Sequence, residues 1–201
     1  MLGKKNDQIK TKAVAGGGLV TAAMVSAALF IGIASQHGQP MTGEFEGLVL
    51  KNYRDSVGVL TWCRGETQMG YLPDGDYTKE YCETLFSARY PQYSAKQYQC
   101  YNEKMKRYVT PKMHAGLTDV FYNTGSSCKT GMMRALKRGD PVGSCEYILR
   151  YKYAGGKDCS IRSNNCYGVW KRRVAAYDLC IDDAKQIPPD GLGEEDANSV
   201  D

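Results

Sequence analysis

Eight cysteines, at positions 63, 82, 100, 128, 145, 159, 166 and 180, restrict this chain more than any other feature. Their number is even and none falls in the first 62 residues. The chain has no Cys-x-x-Cys pair, and its only histidines are His37 and His114. The closely spaced thiolates or Cys/His clusters that hold zinc are therefore missing, and no metal or other cofactor is expected. Disulfides are the use that remains, and they form in oxidising compartments. The chain beyond residue 62 is expected to fold outside the cytoplasm as a cross-linked body. Eight cysteines admit roughly a hundred pairings. Cys145 with Cys180 and Cys159 with Cys166 are the expected pairs, and the other four cysteines stay open.

A second constraint precedes the cysteines. From Ala13 to Ser35 no residue is charged. As a helix this run would extend about 35 Å, against a hydrocarbon core of about 30 Å. Lys4, Lys5, Lys10 and Lys12 precede it and Gln36-His37-Gly38-Gln39-Pro40 follows. The positive-inside rule then puts residue 1 in the cytoplasm and the body in the periplasm. The run holds seven Ala and four Gly, including Gly16-Gly17-Gly18, a poor helix-forming stretch. Its hold on the bilayer is expected to be weak enough for release. A plain signal anchor and a cleaved signal peptide are the alternatives. The length of the run counts against cleavage. The expected organisation is a basic cytoplasmic N-terminus (1–12), a transmembrane segment (13–36), a catalytic domain (37–181) and a disordered acidic tail (182–201).

Charge follows the same division. Residues 1–12 are net +3, residues 181–201 are net −6, and the stretch between is net +7. A basic body favours encounter with an anionic polymer, and cell-wall glycan and nucleic acid both qualify on charge alone. Tyrosine is abundant, with 15 against 4 Phe and 2 Trp. Its flat apolar face and polar tip suit both a semi-polar core and a sugar-contacting groove.

Local patterns give a hairpin followed by helices. A short helix is expected from Thr42 or Gly43 through Glu46, with Thr42 as its cap. Tyr53 to Tyr77 carries Gly58, Gly65, Gly70 and Gly75 between apolar residues, and Pro73-Asp74-Gly75 marks a turn, which is hairpin composition. Helices are expected from Thr78 or Asp76 to about Pro91, over 94–108, from Thr110-Pro111 to Gly125, over 130–138 and 142–152, and from Tyr167 to Ile181. His114, on an apolar helix face, is expected to be structural. Arg172 and Arg173 read as surface or helix-end charges rather than glycan contacts, and Asn123 as a residue that caps or ends its helix, with a substrate contact as the alternative.

Chemistry concentrates in the run FEGLVLKNYRDSVGVLT. Glu46 lies among Phe45, Leu48 and Val49, an apolar setting that raises a carboxyl pKa and keeps the proton a general acid needs. Asp55 sits between Arg54 and Ser56 in polar turn sequence, where a carboxylate ionises readily. Thr61 adds a small hydroxyl. Such a set can protonate a departing glycosidic oxygen and handle a water. No Gly-x-Ser-x-Gly and no Ser/His/Asp set offers acyl hydrolysis instead.

Glu46-Gly47, Tyr53-x-Asp55, Gly58-x-x-Thr61 and Gly65-x-Thr67 together resemble the phage-type lysozymes of glycoside hydrolase family twenty-four. Their signature is Glu, eight residues, Asp or Cys, five residues, Thr. The similarity continues through Phe121-Tyr122-Asn123-x-Gly125 and Tyr153-Ala154-Gly155-Gly156-Lys157 to Trp170-Lys171-Arg172-Arg173. With its Gly/Ala-rich start, the chain is most similar to the signal-anchor-release endolysins. The resemblance implies an α+β, lysozyme-like fold, with a small β-hairpin lobe and a larger helical lobe behind an N-terminal membrane helix. It implies Glu46 as general acid, Asp55 as the group that activates or positions water, and Thr61 as its hydroxyl partner. The implied reaction is hydrolysis of the β-1,4 bond between N-acetylmuramic acid and N-acetylglucosamine in peptidoglycan, leading to host cell lysis. The implied partners are glycan strands and, through the N-terminal helix, the bacterial inner membrane. No nucleic acid is implied, and the released protein would be a monomer. Three positions depart from the family pattern. Glu66 stands where relatives often have His, Cys63 where Gly is frequent, and Ala176 where a Glu follows the Arg pair. Some relatives keep a regulatory cysteine in the anchor. This run has none, which excludes activation by disulfide exchange there. A lytic transglycosylase and a non-catalytic, membrane-tethered wall-binding protein are the alternatives in function.

Overall fold

In a computed structural model the structure describes residues 22–55, 58–125 and 127–192, with the backbone alone for 22–25. Helix α1 (Ala22–Glu46) runs unbroken through Pro40. An antiparallel pair follows, β1 (Val49–Arg54) and β2 (Leu60–Cys63), with Tyr53 opposite Thr61 and Arg54 opposite Leu60. Six helices complete the body: α2 (Lys79–Tyr98), the short α3 (Glu103–Lys106), α4 (Pro111–Thr124), α5 (Gly131–Arg138), α6 (Pro141–Ile148) and α7 (Tyr167–Ala184). A second small hairpin, β3 (Tyr153–Ala154) with β4 (Lys157–Asp158), precedes α7. This is the expected α+β arrangement, a small two-stranded lobe beside a larger helical one.

Local chemistry explains most helix starts. Thr78, Thr110 and Thr130 each accept a backbone N–H from the third residue on, and Asp140 does the same for α6. Pro111 and Pro141 occupy first turns, where their missing N–H costs nothing. Pro91 was expected to kink or end a helix, but α2 continues past it. The carbonyl four residues earlier, on Ser87, loses its helical donor, and Gln39 Nε2 of α1 reaches it at 3.4 Å. The 94–108 stretch is accordingly not one helix. Its first part completes α2, and α3 supplies a short turn after Asn102.

Helix α4 is the axis of the core. Every residue from Pro111 to Phe121 is buried except Lys112. Helices α1, α2, α6 and α7 pack around it. The closest approach is at Gly116, where an added Cβ would lie 2.4 Å from the carbonyl oxygen of Ala176. That contact explains the glycine at 116, since any side chain there would meet the backbone of α7.

The start of the body differs from expectation. Thr42 is not a cap. It lies inside α1, fully buried, one turn before Glu46, and its hydroxyl donates to Asp119 Oδ1 at 3.1 Å. The helix that was expected to begin there begins at least twenty residues earlier, because Phe30, Ala34 and Ser35 are buried against the same core. Phe30 packs 5.0 Å from the Tyr98 ring and 5.5 Å from that of His114. The boundary between 36 and 37 thus falls within one helix. Among the described residues no helix is long and apolar enough to cross a membrane, and residues 13–21 of the uncharged run lie outside them.

The acidic tail is partly ordered. Asp182 and Asp183 end α7, Asp183 accepts from the Thr110 hydroxyl at 2.6 Å, and Leu192 N donates to Arg107 O at 2.7 Å. Residues 193–201 lie outside the described part. All eight cysteines pair: Cys63–Cys82, Cys100–Cys128, Cys145–Cys180 and Cys159–Cys166. The last two are the pairs expected. The first ties β2 to α2. Cys63 itself lies at φ 53°, in the left-handed region that favours glycine, the residue frequent there in the family.

Candidate active site

The three singled-out side chains come from adjoining elements. Glu46 is the last residue of α1, Asp55 follows β1 directly, and Thr61 lies in β2. Gly47, at φ 69°, turns the chain sharply out of α1 into the hairpin, a conformation glycine adopts without strain. Arg64 clamps that turn. Its Nη1 donates to the carbonyls of Gly43 and Gly47, while Nη2 pairs with Glu83 Oε1 of α2 at 2.6 Å.

Glu46 is mostly buried, and burial lifts its carboxyl above the ordinary value of 4.5. The charge and hydrogen-bonding capacity of Arg172 oppose that rise, and the negative charge of Asp119 adds to it. Arg172 Nη1 stands 2.7 Å from Glu46 Oε1, yet no N–H is aimed along the contact as a well-formed hydrogen bond. Glu46 is therefore held in a mostly buried ion pair with α7. Of the apolar sequence neighbours, Phe45 and Leu48 are half-buried and Val49 is 40% exposed. The charged surroundings come from α4 and α7. Tyr122 of α4 is raised by its own burial and then by the charge of Glu46.

Asp55 is more open. Its backbone N–H donates to Val59 O at 3.0 Å, and its Oδ1 accepts from Val59 N at 2.8 Å, which closes a tight loop between the strands. Thr61 is buried, and its hydroxyl donates to Val59 O at 2.9 Å. The Thr61 oxygen keeps acceptor capacity toward a third group. Tyr53 joins the set. It faces Thr61 across the sheet, and its phenol is raised first by burial, then by the charges of Asp55 and Glu46. Both carboxylates therefore act on one phenol from within electrostatic reach.

Behind Glu46 lies a charge network that sequence reasoning missed. Arg172 and Arg173 are 5% and 1% exposed, so they are neither surface nor helix-end charges. Asp119, fully buried on α4, takes Arg172 Nη2 at 2.8 Å and Arg173 Nη1 at 3.1 Å. Arg173 also donates to the Asn123 side chain and to Tyr151 O at 3.1 Å. Asn123 is thus an arginine acceptor one residue before the end of α4, not its terminator. The available signal was a buried-helix acid, Asp119, on the face that Leu117 and Val120 mark as core. Arg172 and Arg173 carry no such pattern.

Glu66, the departure from the family's frequent His, is a structural acceptor. Its Oε1 receives the backbone N–H groups of Thr67, Gln68 and Met69 at 2.9, 2.7 and 3.2 Å, and its Oε2 lies 3.3 Å from Arg89 Nε. His114 is structural too. Its ring meets Ser94 Oγ at 3.0 Å and Tyr101 Oη at 2.8 Å, fully buried. A small pocket lined by Cys63, Arg64, Glu66, Phe86, Arg89 and Tyr122 adjoins the Glu46 turn. Among the described residues no group of His, Cys, Asp and Glu is arranged to hold a metal ion.

Comparison with known proteins agrees with this architecture. A family model described as phage lysozyme matches residues 43–176. The SAR-endolysin of Bacteriophage PS119 is 29% identical over 164 residues, covering 81% of this chain and 92% of that protein. The SAR-endolysin of Enterobacteria phage P21 is 30% identical over 175 residues, covering 85% and 94%. Among solved structures, an endolysin from Escherichia coli O157:H7 phage FAHEc1 superposes with a TM-score of 0.57 at 22% identity, over 75% of this chain and 94% of that one.

Proposed function

This chain belongs to the phage lysozyme family and is a muramidase, and from that premise we propose that Glu46, Asp55 and Thr61 carry its reaction. The bond cut is the β-1,4 link between N-acetylmuramic acid and N-acetylglucosamine. Protonated Glu46 gives its proton to the bridging oxygen as the bond to the anomeric carbon breaks. A water adds to that carbon and loses its proton to Asp55. The Thr61 oxygen, whose own hydrogen points to Val59 O, accepts from that water and fixes its approach. Asp55 also faces the positive charge that develops on the sugar ring.

One observation carries this reading. Two carboxyl groups act on the same phenol, Tyr53, and burial lifts that of Glu46. A pair of acids in contrasting surroundings is the pattern of an acid and a water-handling partner. The test is clearance of a wall suspension by Glu46→Gln. The variant keeps shape and burial but has no proton to give, and a loss of about a thousandfold or more is expected. Wall digestion at the wild-type rate would eliminate Glu46 as the acid. Anhydro ends among the wild-type products would identify a transglycosylase instead.

The uncharged run from 13 to 36 serves, in this proposal, as a releasable anchor in the host inner membrane. The catalytic domain waits in the periplasm and acts after release, as a monomer. What supports the coupling is that α1 is continuous from Ala22 to Glu46 and buries Phe30 and Ala34 in the body. A helix drawn into the bilayer cannot make those contacts, and Glu46 sits at its end. Replacing Gly16, Gly17, Gly18, Ala22 and Ala23 with Leu should delay or abolish lysis by strengthening the hold. Lysis on the normal schedule would refute release as the trigger.

A further inference from the structure

Asp119 is a buried carboxylate with no place in the steps above, yet its ligands reach both the end of α1 and the general acid. Its Oδ1 receives the Thr42 hydroxyl at 3.1 Å and Arg172 Nε at 3.0 Å, and stands in ion-pair contact with Arg172 Nη2 at 2.8 Å. Its Oδ2 receives Arg172 Nε at 3.0 Å and Arg173 Nη1 at 3.1 Å. The remaining arm of Arg172, Nη1, faces Glu46 Oε1 at 2.7 Å. Thr42 and Glu46 stand one helical turn apart on α1. Asp119 therefore holds one end of a guanidinium whose other end meets the reacting carboxyl.

We propose that Asp119 is a positioning residue for the muramidase reaction: it orients Arg172 against Glu46 and, through Thr42, makes that orientation depend on the seating of helix α1. The inference rests on Glu46 being the general acid. The other charged and titratable groups near Glu46 are Arg173 on α7, Tyr122 on α4 and Tyr53 on β1, with Asp55 beyond. Arg64 binds the carbonyls on either side of it. The two buried arginines alone would favour the carboxylate form of Glu46 and strip it of the proton it must give. Asp119 offsets one of those charges. It does so without competing for Glu46, because the guanidinium lies between the two carboxyls. Thr42 adds dependence on α1: without α1 seated, Asp119 Oδ1 loses a donor and Arg172 loses its fixed partner geometry.

The experiment uses the full-length chain purified in mild detergent, with wall-digestion kcat and KM followed across pH. Retained circular dichroism serves as the check of folding. Asp119→Asn keeps size but removes the charge. Its basic limb, where Glu46 loses its proton, should move down by about one pH unit. Thr42→Val should lower kcat about fivefold at unchanged KM, and Thr42→Ser should restore it. A folded Asp119→Asn whose limb stays put or moves up overturns the proposal. Should that variant fail to fold, Thr42→Val with wild-type kcat overturns it. Activity surviving in Glu46→Gln would instead remove the acid assignment beneath it, and that result is independent of the Thr42 and Asp119 variants.

Discussion

Acid should weaken this protein through a single histidine. His114 is fully buried under Phe30, Tyr98 and Tyr101, whose rings lie 5.5, 6.0 and 5.4 Å away. Burial is the main cause that pushes its pKa from 6.5 down to about 3, and the Ser94 backbone carbonyl opposes this only in part. In the folded protein the imidazole stays neutral while the unfolded chain takes up a proton below about pH 6.5. A depressed folded pKa gives stability that is present above the unfolded value and lost as pH falls toward the folded one. Each unit is worth about 1.36 kcal/mol, so passing from pH 7 to pH 5 should cost about 2 kcal/mol from this group. Glu46 works in the opposite direction. Its folded pKa is raised, so its contribution is present at low pH and is lost as pH rises through the folded value. The assay is reversible urea unfolding, disulfides intact, at pH 7 and pH 5, for wild type and His114→Gln. The variant is less stable at both values but lacks the titrating ring, and contributions from other groups cancel in the difference. Wild type should lose about 2 kcal/mol more than the variant between the two pH values. Equal losses would refute the argument that the buried ring is held neutral.

Two further perturbations probe the frame around the site. Gly116→Ala places a Cβ 2.4 Å from the Ala176 carbonyl oxygen, so α4 and α7 must separate. A cost of about 1–3 kcal/mol is expected, with a fall in wall-digestion kcat because Asp119 and Arg172 ride on those two helices; an unchanged melting temperature would contradict the close packing. Removing Cys145–Cys180 by a double Ala substitution opens a loop with a sequence separation of 35. Chain entropy puts the loss at about 4 kcal/mol, and a denaturation midpoint equal to that of wild type would show that the pair contributes nothing.

Parts of the site were legible because their causes are local. The spacing from Glu46 to Asp55 to Thr61 reflects a turn, a strand and a return strand, all within one short stretch of chain. Thr110-Pro111 and Gly125 bound α4 as expected, because caps and prolines act on their own neighbours. His114 was correctly placed in the core from its helical face. Other residues carried no local signal. Thr42 has the chemistry of a cap and is instead a buried donor, because Phe30 and Ala34 extend the helix backward onto the core. Arg172 and Arg173 look like an ordinary surface pair, and only the burial of Asp119 on another helix draws them inward. The burial of Glu46 was expected from Phe45, Leu48 and Val49, and what the sequence did not show was the charged surroundings that α4 and α7 add.

What the amino-acid order gave alone was whatever depends on residues close along the chain: several helix starts, the existence of a hairpin though not its bounds, and the eight paired cysteines as a class. What only the tertiary structure decided was the environment of Glu46. Charge and burial act through space. Arg172 lies 126 positions from Glu46 in the sequence and 2.7 Å from it in the fold. If Glu46 is the acid, as proposed, its proton is governed by that distance, which no local pattern encodes.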